Sequence, residues 1–454
     1  MIPKLDNRTR SLLLTLALGV FAGALDLSVL SPALPAIGRQ FAVPLGDLAW
    51  IFTLYLLANV ASIAIAATLA DRYGRRTIYL VCISLFAVGS LLAILAPSYP
   101  VFLVARALQA LGAGGIFPVA TAAIGDVIPL EKRGAALGAV AATWGAAAVL
   151  GPTIGGIVTH ALSWRWIFAA NIPLAAWVFF RAVRDVPTNA PRVRPPLDAL
   201  GLIAMTAGLL AAVSGLTTLD PWLGIAGLVI LAAFVLFERR IAHPIVPLSL
   251  FSTPQLAKTY ALELLIGLLE GSLFFVPTVI VAAQHRNEIE AGAIAALGAL
   301  AFVVVIPISG KALDRIGSRS VLLLGSACTA IGLAVFAFGF TSLAWSIVAM
   351  LVAGIGFGAL LGAPTRYIIT NAADADRRST ALGFLSQALI VGQLIGGSLA
   401  GGLFDAHRQP NAGFREAYLA FVAVSIVALI VATQLDSRAR ERAKARHLSE
   451  AAER

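Results

Sequence analysis

LADRYGRR, Leu69 to Arg76, lies between two long apolar runs, and a close copy, ALDRIGSR (Ala312 to Arg319), returns 243 residues later in the same setting. Charged residues make up 12% of the chain and hydrophobic ones 59%, so four charges in eight residues mark a segment kept in water. The runs on either side are about 20 apolar residues long, enough to cross a ~30 Å hydrocarbon core as helices. The stretch therefore reads as a loop at a membrane face, joining two spans.

Working outward, the same pattern fills the chain. A mean hydropathy of +0.91 over 454 residues excludes a set of soluble domains. Fourteen spans are predicted, at 11–37, 47–70, 77–96, 100–124, 134–160, 164–183, 199–217, 222–238, 257–283, 291–312, 320–340, 343–368, 379–404 and 415–435. A transmembrane β-barrel would instead show alternating segments of about 10 residues. The first run is too long for a signal-peptide core and reads as a retained helix. Cys82 and Cys328 both lie in apolar runs without paired spacing, so neither a disulfide framework nor a metal site is expected.

The distribution of basic residues sets the topology. Of the 33 lysines and arginines, 27 fall on the side of both termini and the two motif copies. Five fall on the other side (Arg39, Arg165, Arg286, Arg408 and Arg415), and Arg106 lies inside a span. The positive-inside rule then assigns both termini and both motif copies to the cytoplasm. The net charge of +10 is an orientation signal, and nucleic acid is not an expected partner. The basic, Ala-rich tail SRARERAKARHLSEAAER is expected to lie near anionic lipid as a cytoplasmic helix or frayed end.

The repeat extends past the opening motif. KRGAALG (Lys132 to Gly138) is matched by RRSTALG (Arg377 to Gly383) at an offset of 245, where Gly151 also meets Gly396 and Gly156 meets Gly401. Spans 1–6 thus recur as spans 9–14. Spans 7 and 8 have no counterpart, and the Pro-rich basic stretches VPTNAPRVRPP and RRIAHPIVP flank them as linkers. The expected organisation is an all-α polytopic membrane protein in three sections. These are a six-helix half (1–183), a linker with two inserted helices (184–256), and a second six-helix half with a basic tail (257–454). Parallel six-helix halves are one known transporter plan, with substrate handled near mid-membrane between them.

Within the motif, Asp71 is an acid among bases, placed to stabilise the positive end of a nearby helix. Gly74 permits a sharp turn, and Arg75 and Arg76 hold the loop in water. A single copy would be explained by topology alone. Two matched copies, Asp71–Gly74–Arg75 and Asp314–Gly317–Arg319, favour a charged latch that holds one arrangement of the halves and releases in another.

These residues resemble motif A of the major facilitator superfamily, with Gly310 at the first glycine of the second copy and Ala67 there in the first. RALQALGAGG (Arg106 to Gly115) is similar to the span-4 motif B of that superfamily, with Ala110 where glycine is usual. GAAAVLGPTIGG (Gly145 to Gly156) resembles its span-5 antiporter motif through Gly151, Pro152, Gly155 and Gly156, with Ala147 in place of the first glycine. LDLSVLSPALP (Leu25 to Pro35) and WRWIFAANIP (Trp164 to Pro173) resemble the fourteen-helix drug:proton antiporters, although Ser28, Ser31 and Pro32 depart from the commonest residues. The resemblance covers essentially the whole chain, and it implies export rather than uptake. Spaced glycines give span 5 a smooth packing face, and Pro152 permits a bend.

Ionisable groups inside a bilayer are expensive and usually face a cavity or a partner. Asp26, Arg106, Glu263 and Glu270 are such groups. Glu263 and Glu270, seven residues apart, share one helix face. At 1.5 Å per residue Glu270 sits about 18 Å in from Lys258, and Glu263 about 7–8 Å. Asp26 sits about 24 Å beyond Arg10, at a depth close to that of Arg106. The superfamily resemblance implies that spans 1 and 9 face a central cavity, so that Asp26 and Glu270 line opposite walls and serve proton coupling or cation binding. Arg106 would tune or neutralise Asp26, and Glu263 has the alternative of a snorkelling interfacial acid. Tyr55, Phe117, Trp144 and Tyr260 are candidates to line an apolar cavity, with packing or lipid contact as the alternative.

The expected function is proton-coupled export of amphiphilic, including cationic, small molecules by alternating access in the cell membrane. Protons are the coupling ion, and no other cofactor is expected. The absence of a G-x-x-x-x-G-K-[ST] stretch speaks against direct ATP drive. The expected partners are a lipophilic substrate, protons and the bilayer, with a monomeric chain. Export of an endogenous lipid, siderophore or metabolite remains an alternative on the same fold, as does a non-transporting receptor of transporter shape. An intramembrane enzyme would want clustered acids or a metal site at one membrane face, and the sequence offers none.

Overall fold

Fourteen helices among the described residues are long and apolar enough to span a membrane, the number expected from the sequence. The computed structural model describes residues 7–128, 130–188, 198–241, 244–245, 248–251, 253–373, 378–407 and 409–437. The basic tail beyond Ser437, most of the first Pro-rich linker and part of the second lie outside them, so the expectations for those segments do too.

In chain order, spans 1–6 run Asn7–Phe41, Ala49–Tyr73, Arg75–Leu95, Tyr99–Val127, Ala136–Ala161 and Arg165–Asp185. Spans 7 and 8 run Ala199–Thr218 and Pro221–Glu238. Spans 9–14 run Pro254–Gln284, Glu288–Ile316, Ser318–Gly339, Leu343–Ala372, Thr380–Asp405 and Pro410–Thr433. All regular structure among the described residues is helical.

The backbone carries the internal repeat that the motifs announced. Gly74 (φ 94°) and Gly317 (φ 85°) each close one helix and open the next in a conformation that suits glycine. Ala42 and His285 end spans 1 and 9 in the left-handed region, both at φ 53°. Each pair is 243 residues apart. Span 1 tightens into a 3-10 turn at Ser31–Ala33, around Pro32, and span 9 does the same at Ser272–Phe275, just before Pro277. Proline lacks the N–H that would continue the helix and crowds the preceding turn, so both spans change pitch there.

The chain forms two compact units, Met1–Ile245 with Asn287–Ala296, and Val246–Arg286 with Leu297–Arg454. In the first, span 3 packs on spans 4 and 6, and span 1 on spans 5 and 6. The inserted helices belong to this unit. Asp198 and Asp220 cap their N-termini by accepting backbone N–H bonds, span 7 packs along span 8, and span 7 also touches span 2. The insert turns large apolar side chains outward, with Trp222 78% exposed, as a lipid-facing surface requires. In the second unit span 9 packs along span 13, and span 11 lies against spans 12 and 14.

Candidate functional site

In the first unit two buried charges, Asp26 of span 1 and Arg106 of span 4, meet in one polar network. Asp26 Oδ2 accepts from Arg106 Nη1 at 2.5 Å, and Oδ1 accepts from Gln109 Nε2 at 2.8 Å and from Asn171 Nδ2 at 2.9 Å. Gln109 also donates to Ser90 Oγ at 2.8 Å, and its carbonyl oxygen accepts from Arg106. Arg106 and Asp26 are both closed to solvent. Two further guanidinium nitrogens, Nε and Nη2, find no hydrogen-bond partner among the described residues. The faces of the group meet rings instead, with Cζ 4.3 Å from the Tyr55 centroid and 5.6 Å from that of Phe168. A desolvated cation over an aromatic face gains back part of what it lost in leaving water.

This geometry corrects two sequence expectations. Asp26 does not line an open wall; spans 3, 4 and 6 enclose it. Tyr55 does not line a cavity either, because its ring covers Arg106 and is 2% exposed. The expected match in depth between Asp26 and Arg106 is seen as a direct ion pair. Gln109, Asn171 and Ser90 are partners the sequence reading missed. Gln109 was legible in part, since it follows Arg106 by three residues and so shares its helix face.

The second unit holds an acid in a different setting. Glu270 lies partly exposed two residues before the 3-10 break in span 9, and its Oε2 accepts from Gln393 Nε2 of span 13 at 2.9 Å. Among the described residues no cation pairs with it. The approach of spans 9 and 13 fixes this contact. A Cβ on Gly267 would fall 2.0 Å from the Leu389 carbonyl oxygen, and one on Gly396 would fall 2.0 Å from that of Leu268. Only glycine permits backbones this close, which is the small-residue packing of membrane helices. Glu263, two turns nearer the basic-loop side, is 4% exposed, with Thr365 and Arg366 of span 12 beside it and Oε2 unbonded among the described residues. That burial does not fit a snorkelling interfacial acid. Tyr260 is not a cavity residue here: its hydroxyl donates to the Ala381 carbonyl, and its ring packs 4.9 Å from that of Phe384. Phe117 and Trp144 form an edge-to-face pair at 6.4 Å, with Trp144 45% exposed.

The first copy of the loop motif is an ion-pair relay. Arg75 Nη1 meets Asp71 Oδ1 at 2.5 Å, and Arg75 Nε meets Asp126 Oδ2, at the end of span 4, at 3.2 Å. Asp126 was not singled out from the sequence, where it reads as an ordinary acid at a span end. The second copy has Ser318, fully buried, in the place of Arg75. Asp314 and Arg319 keep their places around Gly317, with a neutral hydroxyl where the first copy has the relay's guanidinium.

At the opposite end of the spans, Arg39 Nη2 meets Glu288 Oε1 at 2.5 Å, and His160 Nδ1 lies 3.4 Å from Glu288 Oε2. Beneath them the antiporter-like motif packs without side chains. A Cβ on Gly156 would lie 2.5 Å from the Glu288 carbonyl oxygen, and one on Gly292 would lie 2.3 Å from that of Pro152. Gly151 and Gly155 face span 1 instead, at Ser28 and Val29. The smooth face expected for span 5 is therefore two-sided.

A profile of the Major Facilitator Superfamily matches residues 16–283 and 261–452. The chain belongs to the Major Facilitator Superfamily. It is thus a multi-pass membrane transporter and not an enzyme. Among curated proteins it is 35% identical over 408 residues to the uncharacterized MFS-type transporter YfiU of Bacillus subtilis, covering 86% of this chain and 78% of that protein. It is 31% identical over 415 residues to the multidrug resistance protein Stp of Mycobacterium tuberculosis, covering 88% and 77%. It is also 31% identical over 418 residues to the tetracenomycin C resistance and export protein of Streptomyces glaucescens, covering 87% and 76%. Among solved structures, a D-xylose-proton symporter superposes with a TM-score of 0.71 at 14% identity, over 95% of this chain and 99% of that one, which shows the shared fold.

Proposed function

We propose that this facilitator exports amphiphilic small molecules, cations among them, by alternating access driven by inward proton flow. Its place would be the cell membrane, with both termini in the cytoplasm, as the basic-residue count supports. Two relatives carry resistance or export in their names, and the span-5 glycine motif supports the same direction.

The observation that carries the proton-coupled reading is Glu270, whose partner in span 13 is the neutral amide of Gln393. An acid hydrogen-bonded to an amide can take up and give back a proton without stranding a buried countercharge. Asp26 is in the contrary position, because a proton there would leave Arg106 desolvated and unpaired. In this reading Glu270 carries the proton, Glu263 offers a second site toward the basic-loop side, and the Asp26–Arg106 pair holds spans 1 and 4 in register. The Arg75 relay latches the basic-loop face in one state.

The test is a proteoliposome assay with an imposed pH gradient and a panel of lipophilic cations, neutral drugs and native lipids. Gradient-dependent accumulation of amphiphilic drugs supports the reading. Movement of lipids alone would assign an endogenous cargo, and no gradient-linked flux of any kind would overturn transport coupled to protons.

A further inference from the structure

A groove of about 620 Å³ runs along the outward face of span 3, closed on its other side by the end of span 6 and the residues just after it. Arg76, Leu80, Ser84 and Val88 follow one another at four-residue spacing along span 3, and Phe179 and Thr188 face them. Such a stripe is one face of a helix. Val81 and Val88, both in the lining, are each 47% exposed, so the groove opens toward lipid and not into the protein.

Its charge is confined to one end. Arg76 is the one charged residue among the described residues of the lining. Its neighbour Arg75 is committed to Asp71 and Asp126, whereas Arg76 Nη1 donates to the neutral Thr188 Oγ1 at 2.9 Å. Among the described residues no carboxylate pairs with Arg76. The dimensions fit one leaflet. Twelve residues separate Arg76 from Val88, about 18 Å of helix at 1.5 Å per residue. Half of a ~30 Å hydrocarbon core is about 15 Å. A guanidinium at the headgroup level above an apolar trough of leaflet depth matches one amphiphile, with an anionic head and a long chain. Guanidinium groups bind phosphate oxygens in a planar, two-pronged manner, and a glycerol headgroup brings no ammonium of its own to compete for the phosphate.

We propose that this groove is a binding site for one anionic phospholipid of the leaflet on the basic-loop side, with its phosphate on Arg76 and an acyl chain laid between spans 3 and 6.

The test is native mass spectrometry of the purified full chain, titrated with phosphatidylglycerol or with phosphatidylcholine of the same acyl chains. One basic contact near the surface predicts a preference of about fivefold for phosphatidylglycerol in the first bound lipid. Arg76→Gln should remove the preference while leaving phosphatidylcholine binding in place. Ser84→Trp, at an exposed position, fills the trough and should lower the first binding event for both lipids severalfold. Arg184→Gln removes a charge at the same membrane face but outside the groove and should change nothing. Equal binding of the two lipids to the wild type would overturn the proposal. So would wild-type binding by Ser84→Trp, or a loss in Arg184→Gln equal to that in Arg76→Gln.

Discussion

Arg106 and Asp26 meet at 2.5 Å with both side chains closed to solvent, and three neutral side chains (Gln109, Asn171 and Ser90) complete the network around them. Removing one member of such a pair strands the other in a low-dielectric site, at a cost of about 3–5 kcal/mol. Asp26→Asn and Arg106→Met should each lower the thermal unfolding midpoint in detergent markedly. Asp26→Leu combined with Arg106→Met should recover much of that loss, because no charge is left uncompensated. A double variant as unstable as the sum of the singles would count against a mainly structural pair.

The Arg75 relay predicts an order of severity. Asp71→Asn and Asp126→Asn each break one arm of it and should both depress transport strongly with near-normal expression. Asp314→Asn should do less, because Ser318 stands where the first copy has Arg75. Initial transport rates normalised to protein in the membrane measure this. Wild-type rates in all three would reduce the motif to a topology signal.

The inserted helices pack on each other and on span 2 and expose Trp222 and Leu228 to lipid. Single cysteines across 199–238 should therefore react with lipid-soluble reagents at rates that transported substrate does not alter. Substrate protection at any of these positions would assign the insert to the transport path.

Glu288 is held by Arg39 and His160 above the contact of Gly156 and Gly292 with their neighbours. Glu288→Gln weakens that hold, and Gly292→Leu wedges the contact open. Both should raise labelling of a cysteine at Thr159, which is 8% exposed, by water-soluble maleimide added from the Arg39 side. Unchanged labelling in both would show that the cluster does not shield Thr159.

Much of the architecture could be read from the chain, because bilayer thickness imposes long apolar runs and two loop motifs came in duplicate. The acids were equally visible, since a charge in an apolar run has no other explanation as economical. What escaped were neutral and peripheral partners. Gln393, Asn171 and Ser90 carry no charge signature, and small polar residues are frequent in membrane helices. Asp126 and Glu288 lie at span ends, where an acid is ordinary until its partner is seen. The 3-10 breaks in spans 1 and 9 were marked by Pro32 and Pro277, yet proline in a membrane helix leaves open whether the helix bends or changes pitch. Tyr55 covers a cation and Tyr260 packs on other rings, uses that suit an aromatic side chain as well as a cavity wall does.

The most direct measurement is substrate accumulation in proteoliposomes under an imposed pH gradient, set beside equilibrium substrate binding, for Glu270→Gln. The amide stands in for a permanently protonated carboxyl, so substrate should still bind while uphill, gradient-driven transport is lost. If Glu270→Gln still concentrates substrate against its gradient, Glu270 does not carry the coupling proton, and Glu263 becomes the group to test.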